Sequence, residues 1–117
     1  DYRDIMTGVD DVVKRGIADS TKMAFEGWSY GGYMTAWVVS QTTRFKSARM
    51  GAGLSDLQSM YGTTDIPGYI GTFFSGVPTQ KTLDFYRARS AITWPRTCAS
   101  WVCWRRPAAR SAARSIR

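Results

Sequence analysis

The sequence predicts an α/β fold, a parallel sheet flanked by helices, and three stretches carry that reading. Met23-Ala24-Phe25 is short, apolar and bounded by polar residues, as a buried strand is. Tyr33 to Val39 is almost continuously apolar, as a buried helix is. Between them lies Gly27-Trp28-Ser29-Tyr30-Gly31-Gly32, a glycine-rich stretch that suits a tight turn from strand to helix.

The elements follow in chain order. Ile5, Val9, Val12 and Val13 fall on one stripe, which predicts an amphipathic helix over 4–15 with Asp4 as N-cap and Gly16 as its stop. Neighbours in a helix point about 100° apart, so Asp10 and Asp11 are read as a solvated face rather than a carboxylate pair. Residues 17–22 form a polar connection, and 22–28 lead into the turn. Glu26 lies three residues before Ser29, and strand alternation turns it to the flank of the protein, in a structural or surface role.

The turn matches G-x-S-x-G, the nucleophile elbow, in which a serine sits on a strained corner between a strand and a helix. A hydroxyl at such a tip projects away from the sheet, where a base can reach it and a carbonyl carbon can approach. Because the turn opens a helix, the free amide of Tyr30 and the positive end of the helix dipole point at the same place, as an oxyanion donor does. Gly27 and Gly31 flank Ser29 by two positions on either side, where close contact leaves no room for side chains, and Gly32 extends the motif. On these residues alone, an ordinary capping serine in a glycine-rich turn is the alternative. The side chains of Trp28 and Tyr30 are read as packing groups.

Beyond the apolar helix, 45–53 is predicted as the next parallel strand, interrupted by Arg49. A charge on a strand covered on both faces costs free energy unless it is paired. Residues 54–77 are rich in Gly, Ser, Thr and aromatics, 78–89 reads as a helix anchored by Leu83, Phe85 and Tyr86, and 90–94 leads towards a further strand.

Four collinear stretches carry a resemblance to a known family. Gly27-Trp28-Ser29-Tyr30-Gly31-Gly32-Tyr33-Met34-Thr35 resembles the active-site serine segment of the prolyl oligopeptidase family, especially its acylaminoacyl-peptidase and dipeptidyl-peptidase branches. Asp1-Tyr2-Arg3-Asp4-Ile5 with Gly8-Val9-Asp10 lies upstream; Arg44-Phe45-Lys46 with Gly51-Ala52-Gly53, and Tyr61-Gly62-Thr63-Thr64-Asp65-Ile66-Pro67, lie downstream. The resemblance runs from Asp1 to about Trp94. It implies a partial α/β-hydrolase fold, incomplete at both ends, from the catalytic domain of a serine peptidase. Ser29 would be the nucleophile and the Tyr30 backbone amide an oxyanion donor. Met60, Tyr61 and Tyr69 would line the substrate pocket, unless the aromatics of that region simply close over the core. Arg49 stands where relatives usually carry small apolar residues.

The domain expectation is therefore a partial catalytic domain over 1–94 and an Arg-rich tail over 95–117, frameshifted or disordered. Residues 1–95 hold ten Lys or Arg and nine Asp or Glu, whereas 96–117 hold six Arg and no acid. The family pattern calls for an apolar strand after Trp94 ending in His-Gly-x-x-Asp; the tail instead has the residues that GC-rich codons give when read out of frame, and no apolar strand is expected there. Cys98 and Cys103 are spaced C-x₄-C without a second pair, which argues against a metal site.

The chain contains no histidine. A serine hydroxyl without a base is a poor nucleophile, so these 117 residues alone are expected to be inactive. The resemblance implies a peptide substrate, the missing parts of the same domain and a β-propeller as partners, and no cofactor. No specific nucleic acid or membrane partner is expected. These residues show no signal peptide or membrane-length apolar run, and nothing in them addresses a compartment, with the cytoplasm slightly favoured. An esterase or lipase of the same fold, and a non-catalytic basic fragment that attracts phosphate through its arginines, are the competing classes.

Overall fold

The computed structural model describes residues 1–74 and 76–93, together with the backbone of 101–103. A first helix, α1 (Tyr2–Lys14), precedes strand β1 (Ala24–Trp28), helix α2 (Tyr30–Gln41) and strand β2 (Ser47–Gly51). Three short helices follow, α3 (Leu57–Thr63), α4 (Pro67–Phe73) and α5 (Leu83–Ala88), then a 3₁₀ turn at Ala91–Thr93 and strand β3 (Trp101–Cys103).

The three strands form a parallel sheet in the order β1-β2-β3. Parallel neighbours need a crossover, and α2 supplies the one between β1 and β2. Ala24 pairs with Ser47 and Trp28 with Gly51, so the two strands end level beside the turn that carries Ser29.

Helix α2 is apolar nearly all round because it is covered on all sides. Ala36, Val38 and Val39 have no exposed surface. Fully burying a side chain the size of Val38 contributes about 1.5–3 kcal/mol. Tyr33, Met34 and Val38 join Phe45, Leu57, Ile70 and Tyr86 in the core. Helix α1 lays Tyr2, Ile5, Met6 and Val9 against that core without fully burying any of them. It starts earlier than the stripe predicts: Asp1, not Asp4, is its N-cap, and Gly16 at φ 71 takes the left-handed conformation that releases the chain. As expected, Asp10 and Asp11 diverge, the first to Arg44 (2.6 Å) and the second to Arg15 (3.2 Å).

Buried polar groups tie the later helices together. Ser90 is 1% exposed; its hydroxyl accepts from the Leu57 amide at 3.0 Å and donates to the Tyr86 carbonyl at 2.8 Å. Asp56 caps α3 by accepting from the amides of Gln58 and Ser59. The helix expected over 78–89 is shorter, because Thr82 bonds back to the Val77 carbonyl at 2.6 Å and holds the chain in a turn until Leu83.

One expectation is corrected at the end of the chain. No strand was expected after Trp94, yet 101–103 pairs with β2, Ala48 opposite Trp101 and Met50 opposite Cys103. Trp101 and Val102 are of β-forming type, and so short a segment suffices where an existing strand offers an edge. The remainder of the Arg-rich tail, and Cys98, lie outside the described residues.

Candidate functional site

Ser29 sits between the last residue of β1 and the first of α2, at φ 57 and ψ −119. An L-residue adopts this region only under constraint. Here the constraint is visible: the Ser29 amide donates to the Gly51 carbonyl at 2.9 Å, extending the β1–β2 pairing by one residue, and the Ser29 carbonyl already accepts from the Tyr33 amide of α2 at 3.0 Å. The backbone passes from sheet to helix within one residue.

The serine hydroxyl does not cap the helix, which removes the ordinary capping role. The Tyr30 amide is the first of the helix, one of the donors that helix geometry leaves without an internal partner. The side chain of Tyr30 donates its phenol to the Asp1 carboxylate. Burial first, then the neighbouring phenols of Tyr33 and Tyr69, push the Tyr30 hydroxyl above its usual range, so it stays protonated at neutral pH.

Gly27 is as crowded as expected, and Gly32, read from the sequence only as an extension of the motif, is crowded too. A Cβ on Gly27 would run into the carbonyl group of Gly31, and one on Gly32 would come within 2.5 Å of the Gly51 oxygen and 2.7 Å of Gly53 Cα. Gly31 is a correction: a Cβ there meets nothing within 4 Å. What crowds Gly27 is the Gly31 backbone, so the lack of space belongs to only one member of that pair.

A pocket of about 180 Å³ opens beside Ser29, walled by Ala52, Leu54, Leu57, Met60, Tyr69 and Phe74 among others. Met60 and Tyr69, both predicted, line it. Tyr61 does not: its ring packs edge-on against Tyr86, centroids 6.4 Å apart, because the adjacent position on α3 faces the core rather than the opening. Leu54, Leu57, Ile66, Ile70 and Phe74 escaped the sequence reading, since they reach the pocket from a loop and two helices whose packing no local pattern reveals. Among the described residues, the lining contains no acid, lysine or arginine. It can hold an apolar side chain, but these residues offer Ser29 no base. Among the described residues no cluster of His, Cys, Asp or Glu has the makings of a metal site, and no helix is long and apolar enough to cross a membrane.

A larger hollow of about 560 Å³ shares Tyr30, Tyr33 and Tyr69 as walls and lies towards Asp1 and Arg89, without Ser29. Burial raises the Tyr33 phenol, and nearby Arg89 partly offsets this.

Against known proteins, the family model described as the prolyl oligopeptidase family matches residues 1–101. The chain belongs to the prolyl oligopeptidase family. The uncharacterized peptidase YuxL of Bacillus subtilis (strain 168) is 44% identical over 73 residues, which is 62% of this chain and 11% of that protein. Acylamino-acid-releasing enzyme 1 of Oryza sativa subsp. japonica is 38% identical over 68 residues, 57% of this chain and 9% of that protein. Among solved structures, an acylaminoacyl peptidase in complex with Z-Gly-Gly-Phe-chloromethyl ketone superposes with TM-score 0.68 at 30% identity, over 80% of this chain and 15% of that one. A Mycobacterium tuberculosis puromycin-hydrolyzing peptidase gives TM-score 0.70 at 31% identity, over 80% of this chain and 14% of that one. These structures place the parallel sheet within an α/β-hydrolase fold. The matched segment of this prolyl oligopeptidase family member spans about a tenth of the length of the curated relatives.

Proposed function

We propose that this chain carries the nucleophile segment of a serine peptidase, with Ser29 as the attacking residue and the Tyr30 amide as one oxyanion donor. The observation that carries the reading is the strained, uncapped Ser29 at the mouth of an apolar pocket. In the intact enzyme the Ser29 oxygen bonds to the peptide carbonyl carbon as a base takes the hydroxyl proton. The negative charge gathers on the carbonyl oxygen, where the Tyr30 amide and the N-terminus of α2 stabilise it. The C–N bond then breaks, the proton passes to the leaving amine, and water releases the acyl group from Ser29. The apolar pocket, with Met60 and Tyr69 in its wall, receives the side chain on the acyl side of the broken bond.

The base is histidine by the family pattern, and no histidine is present among the 117 residues. The proposal therefore assigns the triad histidine and aspartate, the second oxyanion donor and a β-propeller to other parts of the intact peptidase. It also reads the Arg-rich end of the chain as translated out of frame; translation of the other two frames is expected to give an apolar strand followed by His-Gly-x-x-Asp.

The test of the nucleophile is covalent labelling. In a longer peptidase containing this segment, a fluorophosphonate should modify Ser29, and Ser29→Ala should abolish both labelling and peptide hydrolysis. Undiminished hydrolysis by Ser29→Ala overturns the reading.

A further inference from the structure

Ala52 follows the last residue of β2 at φ 43, in the left-handed region that favours glycine. Its neighbours in sequence are both glycines, and neither has room for a side chain: a Cβ on Gly51 would run into the Trp28 ring of β1, and one on Gly53 would strike Gly32 of α2 at its carbonyl carbon, 2.5 Å away. The one residue of this turn that carries a side chain is thus the one whose backbone would be easier with none. Core packing does not account for it, because Ala52 is exposed. Its place does suggest a role: Ala52 lines the pocket beside Ser29, together with the larger Met60 and Tyr69. Non-glycine residues held in strained conformations cluster at functional sites, where the surrounding structure over-determines them.

We propose that the Ala52 methyl group is a specificity-determining wall that sets the size of the apolar side chain admitted beside Ser29, favouring one of leucine to phenylalanine size. The inference rests on the peptidase reading of this pocket. Hydrogen at position 52 would widen the pocket next to the serine, and a branched side chain would narrow it. The backbone that presents the methyl is held by the same Gly51 carbonyl that fixes the Ser29 amide at 2.9 Å, so the wall and the hydroxyl keep a constant spacing.

Binding rather than turnover tests this, which separates it from the nucleophile assignment. The 117-residue chain, labelled at alanine methyls, is titrated with N-acetyl-alaninamide, N-acetyl-phenylalaninamide and N-acetyl-tryptophanamide and followed by NMR. The unsubstituted chain should prefer the phenylalanine ligand, with the Ala52 methyl signal shifting on addition. Ala52→Gly should improve the tryptophan ligand relative to phenylalanine by about threefold or more, and Ala52→Val should weaken phenylalanine by about tenfold. Relief of the positive φ should raise the melting temperature of Ala52→Gly by about 2–4 °C, net of the extra freedom glycine has when unfolded. Unchanged ligand ratios, a lowered melting temperature in Ala52→Gly, or no binding by the unsubstituted chain each overturns the inference. Shifted ratios alongside undiminished peptide hydrolysis by Ser29→Ala in a longer peptidase would sink the nucleophile assignment and leave the wall standing.

Discussion

Glu26 and Arg49 stand opposite each other in the β1–β2 register, and Arg49 Nε lies 3.1 Å from Glu26 Oε2. The pair resolves what the sequence left as a conflict. A lone arginine in a buried parallel strand is costly, but Arg49 has a partner, and both side chains are more than half exposed. Exposed pairs of this kind contribute little. In a double-mutant cycle with Glu26→Ala and Arg49→Ala, the coupling measured by urea unfolding should stay below about 1 kcal/mol and shrink as salt is added.

The glycines of the elbow should separate cleanly. Gly27→Ala and Gly32→Ala push a methyl into backbone that cannot yield, at a cost of about 2–3 kcal/mol each. Gly31→Ala meets open space at the start of α2, where alanine is the better helix former, and should be neutral or stabilising by up to about 1 kcal/mol. Thermal unfolding of the three variants reads the contrast, and equal losses at all three positions would contradict this geometry.

Strain at Ser29 predicts a trade between stability and reactivity. Ser29→Gly removes the β-carbon that disfavours φ 57 and should raise stability by about 1 kcal/mol, while Ser29→Ala keeps the strain and should not. Chemical denaturation of both variants measures the difference.

Reactivity of the 117-residue chain should carry the signature of a missing base. Fluorophosphonate labelling should be slower than in a complete family member by a factor of about 10⁴ or more. Its rate should climb with hydroxide concentration without the inflection near pH 6.5 that a titrating imidazole produces. A plateau above neutral pH would point to a base within the chain.

Tyr33 and Tyr86 predict alkaline sensitivity. Burial raises both phenols above 10.0, Tyr61 adds to the effect at Tyr86, and each hydroxyl donates to a carbonyl, Arg89 at 3.0 Å and Gly76 at 2.6 Å. A group whose folded pKa is raised contributes stability that is present in full below its unfolded value and lost as pH climbs through the folded one. Stability should therefore be insensitive to these groups up to about pH 9 and fall above about pH 10. Tyr86→Phe should cost about 1 kcal/mol at pH 7 and flatten the alkaline fall, as followed by unfolding at each pH.

Much of the site was legible in local sequence because local constraints create it. G-x-S-x-G requires a corner, the apolar runs on either side require a strand and a helix, and the structure joins them at Ser29. Met60 and Tyr69 could be named in advance only through the family resemblance, which puts the region over 54–77 near the mouth of the active site. Tyr61 could not be told from its neighbour Met60, since one step along a helix turns a side chain by about 100° and only packing shows which way the helix faces. β3 escaped for a related reason: a three-residue strand has almost no periodicity of its own and forms where β2 leaves an edge to pair with.

What the sequence determined by itself was the order of the first four elements, the strand-to-helix corner at Ser29 and the lack of any histidine to activate it. Tertiary structure alone decided that Glu26 answers Arg49, that Gly32 rather than Gly31 has no room for a side chain, and that Ala52 stands beside Ser29. Turns and helices are set by neighbours along the chain, whereas a contact between residues twenty or more positions apart exists only once the elements carrying them have packed.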